Sequence, residues 1–133
     1  MPPRVTVLMP VYNAAPHLLE AVNSILGGTF DDLELLAIDD GSTDESEKIL
    51  RSVVDSRLRV LRNPRNVGVI ATLNTGLDLA EGHYIARMDA DDVSMPDRLA
   101  RQVAFMDGNA QIGLSGTRAK TFGAGPKKRN RTP

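Results

Sequence analysis

Three carboxylates, Asp89, Asp91 and Asp92, crowd into four positions directly after an apolar run, where their mutual repulsion opposes folding. A solvated acidic loop that gives the next helix a negative N-terminus is one reading, but a single carboxylate would suffice for that. Two aspartates one residue apart on an extended segment can point to the same side and grip a hard cation through oxygen. Mg²⁺ or Mn²⁺ carried in by a diphosphate would then neutralise the repulsion, since magnesium commonly uses one or two carboxylates together with substrate phosphates.

A second acidic pair stands in Asp39-Asp40-Gly41-Ser42. Turn chemistry and capping explain Gly41 and Ser42 well and the two adjacent aspartates less well. Polar residues also follow two other strand-like runs, as Pro10-Val11-Tyr12-Asn13 and Arg62-Asn63-Pro64-Arg65-Asn66. Tyr12 alone reads equally as a core ring; its company with the other loops favours ligand contact.

The elements that must hold these residues alternate in period. Residues 4–9 read as a buried strand and 14–26 as a helix with Leu18, Val22, Ile25 and Leu26 on one face, ended by Gly27-Gly28. Residues 33–38 form the second strand. Ser42 to Glu45 has capping-box spacing ahead of a helix burying Ile49, Leu50, Val53 and Val54. A short strand at 57–61 precedes a helix over 67–80 that buries Ile70, Leu73 and Leu77, with Gly82 beyond it. A strand at 83–88 leads to a helix capped by Ser94, with Pro96 in its first turn and Leu99, Val103 and Met106 inward. Residues 111–115 could begin one more strand. This β-α order calls for an α/β fold, an open, mainly parallel sheet with helices on both faces, over residues 1–118. Ligands of such sheets bind beyond the carboxyl ends of the strands, where the polar loops lie.

The 133-residue length suits one domain, and the aperiodic, basic stretch 119–133 is expected to be disordered. Residues 1–116 hold ten basic against 17 acidic residues, a net charge of −7, which argues against nucleic-acid binding. Without cysteine there are no disulfides or thiolate metal sites. The apolar runs fall short of the roughly 20 residues of a membrane span, and Met1-Pro2-Pro3-Arg4 starts no leader peptide.

Together these segments resemble the family 2 glycosyltransferases, inverting enzymes of the GT-A fold. The matching pieces are Val7-Leu8-Met9-Pro10-Val11-Tyr12-Asn13, Ile38-Asp39-Asp40-Gly41-Ser42-Thr43-Asp44, Asn66-Val67-Gly68 with Leu73-Asn74-Thr75-Gly76, and Ala86-Arg87-Met88-Asp89-Ala90-Asp91-Asp92 followed by Pro96-Asp97-Arg98-Leu99. The resemblance implies a Rossmann-like half of that fold binding a nucleoside-diphosphate sugar, UDP-sugar favoured. By it, Pro10, Val11, Tyr12 and Asp39 line the base, Asp40 assists, Asn66, Gly68 and Asn74 border the diphosphate and sugar, and Asp89 reaches the ribose or metal. Asp91 holds Mn²⁺ or Mg²⁺ on the diphosphate, with Asp92 as a supporting charge. Many relatives carry a basic residue where this chain has Leu73, so Arg62 or Arg65 is a candidate substitute. The form of the motif around Asp89 is similar to that of bacterial enzymes that build surface polysaccharides on saccharide or lipid-linked acceptors, in the cytoplasm or peripheral to the inner membrane face.

No catalytic base is identified. The family takes it from an acceptor-binding half, and the only acids after Asp92 are Asp97, expected in a helix cap, and Asp107, expected past that helix. The chain therefore reads as the donor-binding portion, with self-association as the expected cover for a bare sheet edge. A non-catalytic nucleotide-binding or interaction module is the alternative. A phosphorelay receiver would place its acidic pair after the first strand, and a dinucleotide oxidoreductase would need a Gly-x-Gly-x-x-Gly turn there; neither is present.

Overall fold

The computed structural model describes residues 1–117. In chain order it holds β1 (Val5–Val11), α1 (Ala15–Leu26), β2 (Leu33–Asp39), α2 (Ser46–Ser52), β3 (Leu58–Arg62), α3 (Val69–Leu79), β4 (Tyr84–Arg87) and α4 (Arg98–Asp107). All pairings are parallel and the strand order is β3-β2-β1-β4. The chain first winds leftward from β1 through β2 to β3, then returns to β1's other side as β4. That reversal leaves a crevice beyond the carboxyl ends of β1 and β4.

The two faces of the sheet are covered unequally. Val5, Val7, Met9 and Val11 of β1 pack with Leu18, Val22 and Ile25 of α1, Leu50 of α2, and Leu99 and Val103 of α4. Leu8, Leu36 and Ile38 face the other way and pack with Leu73 and Leu61. Here α3 sits so close that a Cβ on Gly76 would lie 2.2 Å from Leu8 Cδ1. Each fully buried Leu or Ile in these layers contributes roughly 2 kcal/mol by leaving water.

The α/β architecture agrees with the sequence pattern, but several local expectations are corrected. In α3 the buried residues are Thr72 and Gly76, while Ile70 and Leu77 are 75% and 52% exposed. Polar anchors at its start and the Gly76–Leu8 contact set the rotation of this helix, overriding its apolar stripe. Helix α2 ends at Ser52, so Val54 lies beyond it and is fully exposed. Neither expected serine cap forms. Glu45 and Asp97 occupy the N-cap positions of α2 and α4, Ser42 bonds between loops, and buried Ser94 donates its N–H to Ser24 Oγ at 2.9 Å. Asp107 is the last residue of α4, not beyond it, and residues 111–115 form no strand. The expected disorder of 119–133 lies outside the described residues.

Candidate functional site

A cleft of about 380 Å³ opens beyond the carboxyl ends of β1, β2 and β4. It brings together Pro10, Val11, Tyr12, Asp40, Asn66, Gly68, Asp89 and Asp91 of the sequence-predicted site. A larger groove between β4 and α4, lined by Tyr84, Ala86, Leu99 and Val103 among others, contains none of them.

Consecutive residues of a strand point to opposite faces, and this separates the adjacent aspartates. Asp39 follows Leu35 and Ala37 onto the α1/α2 side and is completely buried. Its strand-register partner Arg62 donates to Oδ2 at 2.5 Å, and the Ser42 hydroxyl donates to Oδ1. The base contact assigned to Asp39 is therefore corrected: the carboxylate lies behind the cleft wall with both oxygens engaged. Arg62 is likewise committed to Asp39 and to the Ser42 carbonyl at 3.2 Å, which removes it as a free diphosphate ligand in this conformation.

Asp40 follows Ile38 onto the α3 side and does reach the cleft. Its Oδ1 accepts from Val67 N–H at 2.8 Å and from Asn63 Nδ2 at 2.9 Å, and Oδ2 accepts from Gly68 N–H at 3.0 Å. Burial opposes its charge, but the Val67 N–H, the Asn63 amide, the Gly68 N–H and the Thr72 hydroxyl outweigh it and hold the carboxyl below its ordinary pKa. The loop before α3 is thereby tied to the end of β2. Gly41 makes the approach feasible, because its φ is 70° and a Cβ would lie 2.5 Å from Asn66 N.

The loop after β1 is laced to the loop after β2. Asn13 adopts a left-handed φ of 47°, which asparagine tolerates better than most residues. Its N–H donates to Ser42 Oγ at 2.9 Å, and its Oδ1 accepts from Thr43 N–H at 2.9 Å. Ala14 N–H donates to Ser46 Oγ at 3.0 Å, and Ala15 N–H to Asp44 Oδ2 at 3.1 Å. Tyr12, 52% exposed at the end of β1, is held at the rim of the cleft by this lacing.

Sequence reasoning missed Asn13, Ala14, His17 and Val69, which also line the cleft. His17 enters from the first turn of α1, which begins at Ala15. Asn74 is not brought in: it is exposed on α3 and outside the cleft, and Arg65 is exposed beside Asn66.

On the opposite rim, Asp89, Asp91 and Asp92 are all exposed, and each offers a carboxylate oxygen within 4.8 Å of the others. Partial burial first, then the charges of Asp89 and Asp91, push the Asp92 carboxyl above its ordinary pKa, with Arg98 opposing. Arg87 stands 3.4 Å from Asp89 Oδ1 and offsets little of this because both groups are half exposed. The oxygen-only donor set and its uncompensated repulsion suit a hard divalent cation. The two later acids are engaged elsewhere: Asp97 pairs with Arg101, and Asp107 accepts from Arg4 and from the Tyr84 hydroxyl at 2.6 Å.

Known proteins share this layout. Residues 6–133 match glycosyl transferase family 2. A glycosyltransferase of Haemophilus influenzae is 37% identical over 117 residues, 86% of this chain and 36% of that protein. Glycosyltransferase GlyG of Streptococcus pneumoniae is 36% identical over 114 residues, 82% of this chain and 38% of its own. The chain thus spans less than half the length of these relatives. Among solved structures, S. aureus TarS 1–349 in complex with UDP-GlcNAc superposes with a TM-score of 0.76 at 28% identity, covering 80% of this chain and 32% of that 1–349 chain. The mannosyltransferase PcManGT of Pyrobaculum calidifontis, in complex with GDP-Man and Mn²⁺, gives 0.73 at 31% identity, covering 80% of this chain and 33% of its own. On sequence and fold, the chain belongs to glycosyl transferase family 2, with the GT-A fold.

Proposed function

We propose that the cleft binds the nucleoside diphosphate of a sugar donor, and that the chain is the donor-binding part of an inverting glycosyltransferase. The observation that carries this reading is the convergence of Tyr12, Asp40 and the Asp89/Asp91 pair, from three different strands, on one cleft. The Tyr12 ring offers a stacking surface for a base. The Asp40 carboxylate lines the cleft beside Tyr12 and is the acceptor proposed for a ring N–H of the base. Uracil and guanine offer such a donor and cytosine does not, which favours a UDP- or GDP-sugar over a CDP-sugar; the UDP-GlcNAc bound to TarS is the ground for preferring UDP.

Asn66 and Gly68 form the wall between base and diphosphate. Asp91 and Asp89 would hold Mn²⁺ or Mg²⁺, the former being the ion in PcManGT, with Asp92 as a supporting charge. Such a cation, when bound, stabilises the charge that builds on a departing diphosphate. The chain's own contribution is to orient the base and to hold the carboxylates close together before the ligand arrives. The acceptor, a saccharide or lipid-linked sugar, would be served by further residues. No helix among the described residues is long and apolar enough to cross a membrane.

Calorimetry with UDP, GDP and CDP, each with and without Mn²⁺, tests the reading. UDP or GDP should bind more tightly with Mn²⁺ than without, and CDP least; absence of nucleotide binding under all conditions contradicts it. A second reading, a nucleotide-binding module without turnover, is favoured by the engagement of Asp97 and Asp107 in ion pairs away from the cleft. On that ground the 133-residue chain should bind donor yet transfer sugar poorly, and robust turnover to an acceptor would overturn this.

A further inference from the structure

Asp39 is completely buried, paired with Arg62, and absent from the cleft lining, which places it out of direct reach of a nucleotide bound there. We propose that Asp39 is a positioning residue that acts through the Ser42 hydroxyl and the Asn13 turn to aim Tyr12 at the base. The proposal rests on the reading of the cleft as a nucleotide site.

The argument follows the single proton of Ser42. A carboxylate flanked by Arg62 at 2.5 Å can only accept, so the Ser42 hydroxyl must donate to it. With its proton committed there, Ser42 Oγ has only lone pairs to present elsewhere, and it accepts the Asn13 N–H at 2.9 Å. That bond helps to hold Asn13 at a φ of 47°, a conformation the backbone does not favour on its own. Tyr12 is the preceding residue and is 52% exposed at the cleft rim, so the backbone path through this turn sets the point from which its ring projects. Arg62 thus holds Asp39 in place, Asp39 holds the hydroxyl, and the hydroxyl holds the turn. Ser42 is 5% exposed, which shields the relay from competition by water.

The Asp39→Asn variant breaks this logic at its source. Its amide either turns a donor toward Arg62 or offers a donor to Ser42, and each arrangement disturbs the orientation of the hydroxyl. Ser42→Ala removes the same link without placing a new group beside Arg62, and serves if Asp39→Asn fails to fold. Ser42→Thr keeps the hydroxyl and is the conservative control.

The test is amide hydrogen exchange in the ligand-free protein, followed by binding of UDP and of inorganic pyrophosphate in Mn²⁺. In Asp39→Asn and Ser42→Ala the Asn13 amide should exchange about tenfold faster relative to the amides of Leu8 and Leu36, and Ser42→Thr should retain most of the protection. UDP should bind about tenfold more weakly to Ser42→Ala, while pyrophosphate, which has no base to meet Tyr12, should stay within about twofold. A merely structural role would weaken both ligands alike or neither. Unchanged Asn13 exchange in Ser42→Ala, or equal losses for UDP and pyrophosphate, overturns the proposal. Failure of the unaltered chain to bind UDP would instead count against the nucleotide site, while the exchange result would still decide the relay.

Discussion

The two rims of the cleft are built on opposite principles. On one side the loops after β1, β2 and β3 are stitched together by Asn13, Ser42, Asp44 and Asp40, and the buried acids there have partners from several elements. On the other, the bend after β4 exposes three carboxylates whose oxygens lie within 4.8 Å of one another, with Arg87 only loosely beside them. The first rim is finished by the chain itself. The second is left at a net electrostatic cost, which a cation would turn into binding energy. The difference teaches that the same residue, aspartate, is a brace where hydrogen bonds surround it and an open carboxylate, the proposed cation ligand, where they do not.

Breaking the braced rim should have the largest effect. Asp40→Ala leaves the Val67 and Gly68 N–H groups and the Asn63 amide without their buried acceptor, and should cost about 3 kcal/mol in denaturant unfolding. Gly41→Ala forces a Cβ toward Asn66 N at a φ of 70°, and a loss of about 2 kcal/mol is expected by the same measurement. A cost near zero in both would mean that the loops do not depend on each other.

The acidic rim should respond in the opposite direction. Asp92→Asn relieves repulsion from Asp89 and Asp91, so without metal it should be neutral to stabilising by about 0.5 kcal/mol at neutral pH. The pH dependence sharpens the contrast. Asp40 titrates below its ordinary value, so its contribution is full above the ordinary carboxylate range and is lost as pH falls through the folded-state value. Asp92 titrates above its ordinary value, so the cost of its charge is absent in acid and sets in as pH rises through the folded-state value. Thermal unfolding of the two proteins in metal-free buffer should therefore show the Asp92→Asn gain at pH 7 shrinking as pH falls through the raised folded-state value and gone below the ordinary carboxylate value of about 4. A gain that grows in acid would contradict the assigned direction.

Much of this was legible in the sequence, and the misses have physical causes. Strand-like runs and glycine stops located all eight elements, because each run is bounded by turn residues. The rotation of α3 was legible only at Leu73, since Ile70 and Leu77 are turned outward by Asp40, Thr72 and the close fit of Gly76 on Leu8. The acidic bend was read from local spacing alone, which a four-residue motif preserves. Asp39 and Asp40 look equivalent as neighbours in sequence; only strand alternation, combined with knowing which face each loop returns to, separates a buried brace from a cleft residue. Asn13 and His17 carried too little signal, since one acts through a turn conformation and the other through a single helical step.

The most direct test of the central claim is UDP binding to the unaltered chain and to Asp91→Ala, each with and without Mn²⁺. A cation shared between the acidic bend and the diphosphate predicts that Mn²⁺ tightens UDP binding by at least about tenfold in the unaltered chain and by less than about twofold in Asp91→Ala. Equal strengthening by Mn²⁺ in both proteins, or none in either while UDP still binds, would contradict it.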